Sequence, residues 1–232
     1  LVALLLGSGM YASFIVIPPF LQAPESTGYG FGASVTLSGL YMLPGTVTTV
    51  IIGLYIGRII NRLGPKIPLI TGSALAVLPY LLLAFAHREP WEFLVATGLQ
   101  GLGIGLAFSS MSNLIMQAVP PTQTGVATGM NTNIRTIGGS IGSQAVSSIL
   151  ASGTLIGGYF PRESSYSASF LLLAAAMIAA TVAATAVPVG GRGRRGRPGR
   201  PVAVPAARAA LGRPEMGTVP RGSSAVAAGP RP

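Results

Sequence analysis

GVATGMNTNIRTIGGSIGSQAVSSILA, residues 125–151, runs for 27 residues with a single charge, Arg135. A helix rises about 1.5 Å per residue, so this stretch can cross a hydrocarbon layer of roughly 30 Å with some tilt. Arg135 lies three residues from its midpoint, too deep for its guanidinium to reach water by simple extension. A cation at that depth is costly unless it meets a polar cavity or a partner, so a charge inside a spanning helix is a functional suspect by default.

At about 100° per residue the stretch has two faces. Val126, Met130, Ile134, Ile137, Ile141 and Ala145 form an apolar stripe suited to lipid or packed helices. Thr128, Asn131, Arg135 and Gly142 cluster about 120° away. That face offers a guanidinium, an amide and a hydroxyl to an interior cavity, with glycine leaving room. The alternative is that Arg135 braces the bundle by pairing with a carbonyl or a helix end. No span supplies an acidic partner, since Glu92 sits at a span mouth.

Five further apolar segments, at roughly 1–21, 37–60, 67–86, 91–118 and 167–188, are each long enough to span. The expected fold is therefore an all-α membrane protein, six transmembrane helices in one bundle over residues 1–188. Composition agrees: half of the residues are hydrophobic and 9% charged, against about 25% charged in globular domains. The mean hydropathy is +0.61. The chain has no cysteine and a single histidine, His87, so disulfides and thiolate metal sites are absent, and no metal site is expected. His87 reads as a solvated loop residue. Without a Ser–His–acid set or paired carboxylates in the membrane body, an enzyme is not expected.

Charge divides the chain in two. Residues 1–188 hold six Lys/Arg and four Asp/Glu, whereas 189–232 hold nine arginines and Glu215. Poor in large apolar residues, 189–232 is expected to be a disordered Arg/Pro/Gly/Ala-rich tail. It lacks the aromatics that stack on bases, so a resting place on anionic lipid fits better than a specific nucleic acid. Loops 58–66 and 119–124, with the tail, carry twelve positive residues against two on the other side. This places that side, tail included, in the cytoplasm. Trp91, Tyr159, Phe160 and Tyr166 then fall at span ends on the outer side, as interfacial anchors.

Close helix approach is expected where small residues recur four apart, at Gly53/Gly57, Gly101/Gly105, Gly125/Gly129 and Gly138/Gly142. The run Gly101-Leu-Gly-Ile-Gly105 lies inside a span with no preceding strand, which argues for packing against a nucleotide loop. The loop Gly57-Arg-Ile-Ile-Asn-Arg-Leu-Gly-Pro-Lys66 needs a turn at Gly64-Pro65, and its three cations hold it inside. By charge alone it is a positive-inside anchor.

Together these residues resemble the major facilitator superfamily. Gly57, Arg62, Gly64 and Lys66 fit its loop signature G-x-x-x-D-R-x-G-R/K, with Asn61 where the family has aspartate. Tyr11–Gln22, ending Ile-Pro-Pro-Phe-Leu-Gln, and Gly39-Leu-Tyr-Met-Leu-Pro44 are similar to the final half of its drug:proton antiporter branch with about fourteen helices. So is Val119-Pro120 followed by Gly125, Asn131, Arg135, Gly138, Gly139 and Gly142.

The resemblance implies one six-helix half of a plasma (inner) membrane efflux transporter, working by alternating access on a small amphipathic substrate. Arg135, Asn131 and Thr128 would be its cavity or coupling residues. Gly57, Arg58, Asn61, Arg62, Gly64 and Lys66 would form a cytoplasmic gating loop. No cofactor is implied, the drive being the proton gradient. The expected partners are the lipid bilayer and a missing N-terminal half, since the chain begins with Leu1 inside an apolar run. The competing expectation is a non-transporting membrane scaffold or partner-binding subunit, a truncated relic.

Overall fold

Among the described residues seven α-helices follow one another: α1 (Val2–Gln22), α2 (Val35–Leu63), α3 (Lys66–Leu75), α4 (Val77–Phe85), α5 (Pro90–Ala118), α6 (Thr124–Ser152) and α7 (Glu163–Thr185). They come from a computed structural model that describes residues 1–154 and 160–187. The readings made for Tyr159 and for the tail 189–232 lie outside the described residues.

The six expected spans correspond to seven helices because the third is broken at Ala76, between α3 and α4. The cause is local. Pro79 has no N–H to offer the carbonyl four residues back, that of Leu75, so the hydrogen-bond ladder lapses there. Pro18 and Pro19 lie inside α1 and Pro44 inside α2 without such a break. Thr48 Oγ1 donates to the Pro44 carbonyl at 2.8 Å and contacts the Gly98 carbonyl at 3.0 Å, bringing a hydroxyl to the proline turn.

Among the described residues five spans are long and apolar enough to cross a membrane: α1, α2, α3 with α4, α5 and α7. Helix α6 has the length, 29 residues, but is diluted by Thr, Ser, Asn and Gln. Several of its hydroxyls are spent within the helix. Thr128, Thr132, Thr136 and Ser140 each donate to the carbonyl four residues back, at 2.8–3.2 Å. A polar side chain bonded in this way costs far less in lipid than a free one.

The helices pack in a reciprocal pattern: α1 on α6, α2 on α5, and α3 and α4 on α7. Exchanging the first three spans for the last three returns the same pairs, the mark of an inverted repeat. Glycine makes the close pairs possible. A methyl group at Gly142 would meet Ser8 of α1 at 2.6 Å, and Gly138 faces the Leu4 backbone even more closely. Gly101 abuts Gly45 and Thr48 of α2, and Gly105 would place a methyl 3.4 Å from Ile52. Gly103, between them, turns to α3, where a methyl would lie 2.7 Å from the Ala76 nitrogen. The Gly-x-Gly-x-Gly run thus lets two helices approach α5 from different sides. Gly53, Gly57, Gly125 and Gly129 differ from the expected close approach, facing open space in this chain. Sequence spacing marks small residues but not which face meets a neighbour.

Leucine at Gly142 should therefore lower the melting temperature of the chain in detergent by several degrees, since overpacking costs about 1–3 kcal/mol. Leucine at Gly129 on the same helix should change it little.

Candidate functional site

Arg135 lies eleven residues into α6, on the face turned to α1. The α1 backbone is drawn in by Gly7, where any side chain would collide with the Arg135 carbonyl and its Cγ. The cavity that the two-faced pattern suggested is, in this chain, occupied by α1: Gly142 meets Ser8, and Gly138 meets Leu4. The guanidinium leaves the seam sideways and stacks over the Phe108 ring of α5, 4.6 Å from its centroid. Its Nε is buried and has no hydrogen-bond partner among the described residues.

Among the described residues the one ion-pair contact is between His87 and Glu163, and Arg135 takes no part in it. A cation over an aromatic face recovers about 0.5–2 kcal/mol, less than a buried charge loses. The guanidinium is thus held in place but left under-satisfied.

Asn131 is half-buried one turn before Arg135. The Thr128 hydroxyl donates back to the Thr124 carbonyl at 2.8 Å, so its proton is not directed outward. The structure therefore brings Arg135 and Asn131 to one face beside α1 and α5, with Thr128 below them on the same side. The apolar stripe of α6 is outward: Val126 is 69% exposed and Ile141 56%.

The gating-loop residues gather at the α2–α3 junction. Gly64 adopts φ +78°, a conformation that glycine enters without a side-chain clash, and its N–H caps the Ile60 carbonyl at 2.8 Å. Arg62 occupies the last turn of α2, where a cation complements the helix dipole. Arg58 lies over Tyr55 at 5.5 Å, and Lys66 opens α3. Arg58, Asn61 and Arg62 are all exposed.

A second polar centre escaped the sequence reading. Gln100 of α5, buried, donates from Nε2 to Ser13 Oγ at 2.7 Å and to the Tyr80 hydroxyl at 2.9 Å. Ser13 passes its proton to the Met10 carbonyl at 2.6 Å, and Tyr80 to the Gly9 carbonyl at 2.8 Å. Every proton in this chain of bonds has an acceptor, which ties α1 to α4 and α5 on the face away from Arg135. The available signal was an uncharged glutamine amid the glycines of a spanning segment.

The opposite end of the bundle corrects two further readings. His87 is 6% exposed rather than solvated: Phe20 meets its ring edge-on, and both ring nitrogens are engaged. Tyr166 is buried among Phe20 and Tyr29 rather than anchored at an interface, whereas Trp91 and Phe160 are exposed. Tyr29 donates to the Pro161 carbonyl at 2.7 Å, and burial raises its phenol above the ordinary value, so it stays a donor.

The sequence matches the family model described as Major Facilitator Superfamily over residues 1–225. It is 32% identical over 143 residues to the multidrug resistance protein Stp of Mycobacterium tuberculosis, covering 61% of this chain and 26% of that protein. To the tetracycline resistance determinant of Streptomyces rimosus it is 26% identical over 148 residues, covering 62% and 41%. The solved nucleoside transporter NupG shares the fold, with a TM-score of 0.67 over 80% of this chain and 46% of that one, at 18% identity. The chain thus spans less than half the length of each of these relatives.

Replacing Gln100 with leucine should destabilise the chain by about 1–3 kcal/mol, the cost of stranding buried polar groups. Combined with Tyr80→Phe the loss should be less than additive, because both changes dismantle one network. Melting temperatures of the two single variants and the double variant test this.

Proposed function

This chain belongs to the major facilitator superfamily, and on that premise we propose that it is the C-terminal six-helix half of a proton-driven multidrug exporter. In this reading it lies in the plasma membrane with the 58–66 loop in the cytoplasm, and it alternates access against an N-terminal half. Its place in the branch with about fourteen helices is supported by the Val119–Gly142 pattern. The resistance proteins among its relatives support drug export over the scaffold alternative.

The observation that carries the reading is the under-satisfied guanidinium of Arg135. A purely structural arginine at this depth would be fully bonded, since an unpaired buried donor is costly. Here Nε has no partner, and the planar group lies on Phe108, where a small shift of α5 or α6 would free it. Such a group suits a task that changes between two conformations: meeting an anionic or polar substrate group, or a carboxylate of the other half, in one state and the ring in the other. Asn131, one turn away, would contribute an amide to the same face. Proton uptake falls to carboxylates outside this chain, because none of its four Asp/Glu within residues 1–188 is at mid-membrane. Asn61 in place of aspartate leaves Arg58, Arg62 and Lys66 to latch the cytoplasmic side by hydrogen bonds to helix ends alone.

In the complete transporter, expressed in a drug-susceptible host, Arg135→Ala should slow efflux about tenfold or more, equivalent to roughly 1.4 kcal/mol. Arg162→Ala, at the other end of the bundle, should leave it near the wild-type rate. Equal rates for the two variants would reduce Arg135 to a brace. Removal of residues 192–232 should leave transport nearly intact.

A further inference from the structure

The end of the bundle opposite Arg58, Arg62 and Lys66 holds a buried titratable group that transport as proposed does not use. His87 follows α4, and its Nδ1 lies 2.8 Å from the Leu83 carbonyl. A carbonyl only accepts, so Nδ1 carries a proton. Nε2 lies 2.8 Å from Oε1 of Glu163. With Nδ1 already protonated, Nε2 of a neutral ring offers a lone pair, and an ionised carboxylate offers another. Two lone pairs do not sit 2.8 Å apart without a proton between them. The contact therefore contains one proton beyond those of a neutral imidazole and a carboxylate, whichever of the two atoms carries it.

The setting favours that proton as part of an ion pair. Leu83 is among the last four carbonyls of α4, where a helix end is negative, and Glu163 is the first residue of α7, where a helix end is positive. Charged imidazolium and carboxylate are each at the helix terminus that stabilises them. The ring is 6% exposed, but the carboxylate is nearly half exposed and borders a cavity of about 410 Å³. That cavity, lined by Glu25, Tyr29, Phe31 and Arg88 besides the pair, gives a proton a route from the medium.

The groups facing the pair come from every element around it. Helix α1 presents the Phe20 ring, the 23–33 segment presents Glu25 and Tyr29, and the residue after His87 is Arg88. From α7 comes Tyr166, whose ring packs on Phe20 and Tyr29. At the start of α5, Glu89 and Glu92 are taken up in their own capping box.

The geometry points to a proton-binding site formed by His87 and Glu163, in which a single proton clasps the end of α4 to the start of α7 and with it the 23–33 segment. Raising the pH removes the proton, sets lone pair against lone pair and opens the clasp. The clasp is closed on the acid side and open on the basic side.

With one histidine and no cysteine, the chain has few groups that titrate between about pH 5 and pH 8. In the full chain in lipid nanodiscs, nitrogen-labelled histidine gives one set of ring signals. The site requires both ring nitrogens of wild type to be protonated or hydrogen-bonded through a proton at about pH 5, with the Nε2 proton lost as pH rises. The melting temperature of wild type should fall over the same range by roughly 2–4 °C. In Glu163→Gln the amide can donate to a bare Nε2, so the contact survives without the extra proton and the fall should vanish. His87→Gln should abolish it too. A bare Nε2 in wild type at the acid end, or the same pH dependence in wild type and Glu163→Gln, overturns the site. The wild-type signals decide the matter even where a variant fails to fold.

Discussion

The rest of this bundle depends on the seam between α1 and α6. Gly7 on one side and Gly138 and Gly142 on the other bring two backbones together at distances no side chain would permit. In lipid there is little hydrophobic force to join helices, so close van der Waals contact between small residues has to supply the attraction. That closeness also decides what happens to Arg135. With α1 filling the space over its backbone, the guanidinium has no room above α6 and is displaced onto Phe108 of α5.

The remaining polar groups are arranged around the same seam. Gln100, Ser13 and Tyr80 hold α1 from its far side, and the hydroxyls of α6 close onto their own helix. His87 and Glu163 join α4 to α7 at one end, while Gly64 turns the chain from α2 to α3 at the other. Among the described residues the buried side-chain polar atoms without a partner are Arg135 Nε and the Ser110 hydroxyl. Nothing in the structure accounts for Ser110.

Much of the architecture was legible because lipid imposes a length. Uninterrupted apolar runs of twenty or more residues translate into spans with little ambiguity, and α1, α2, α5 and α7 fall close to the limits read from sequence. The break at Ala76 was less visible. Pro79 was on the page, but Pro18, Pro19 and Pro44 are equally so and leave their helices whole. The two faces of α6 were legible from a 3.6-residue period. Whether the polar face opens on a cavity or on another helix was not, because periodicity orders residues about an axis and carries no information on what lies opposite.

The sequence by itself determined that this chain is a set of membrane helices, that one of them holds a deep arginine with no acid to pair with, and which glycines could permit close approach. Those are properties of length, composition and spacing, set by the dielectric and thickness of the bilayer. Only the tertiary structure decided that Arg135 lies on Phe108, that Gly101 and Gly103 serve different partners, and that a histidine in a short polar link is buried against Glu163. Each of these joins residues from separate parts of the chain, 27 to 76 positions apart, and depends on the angles at which rigid helices meet. No local pattern encodes those angles.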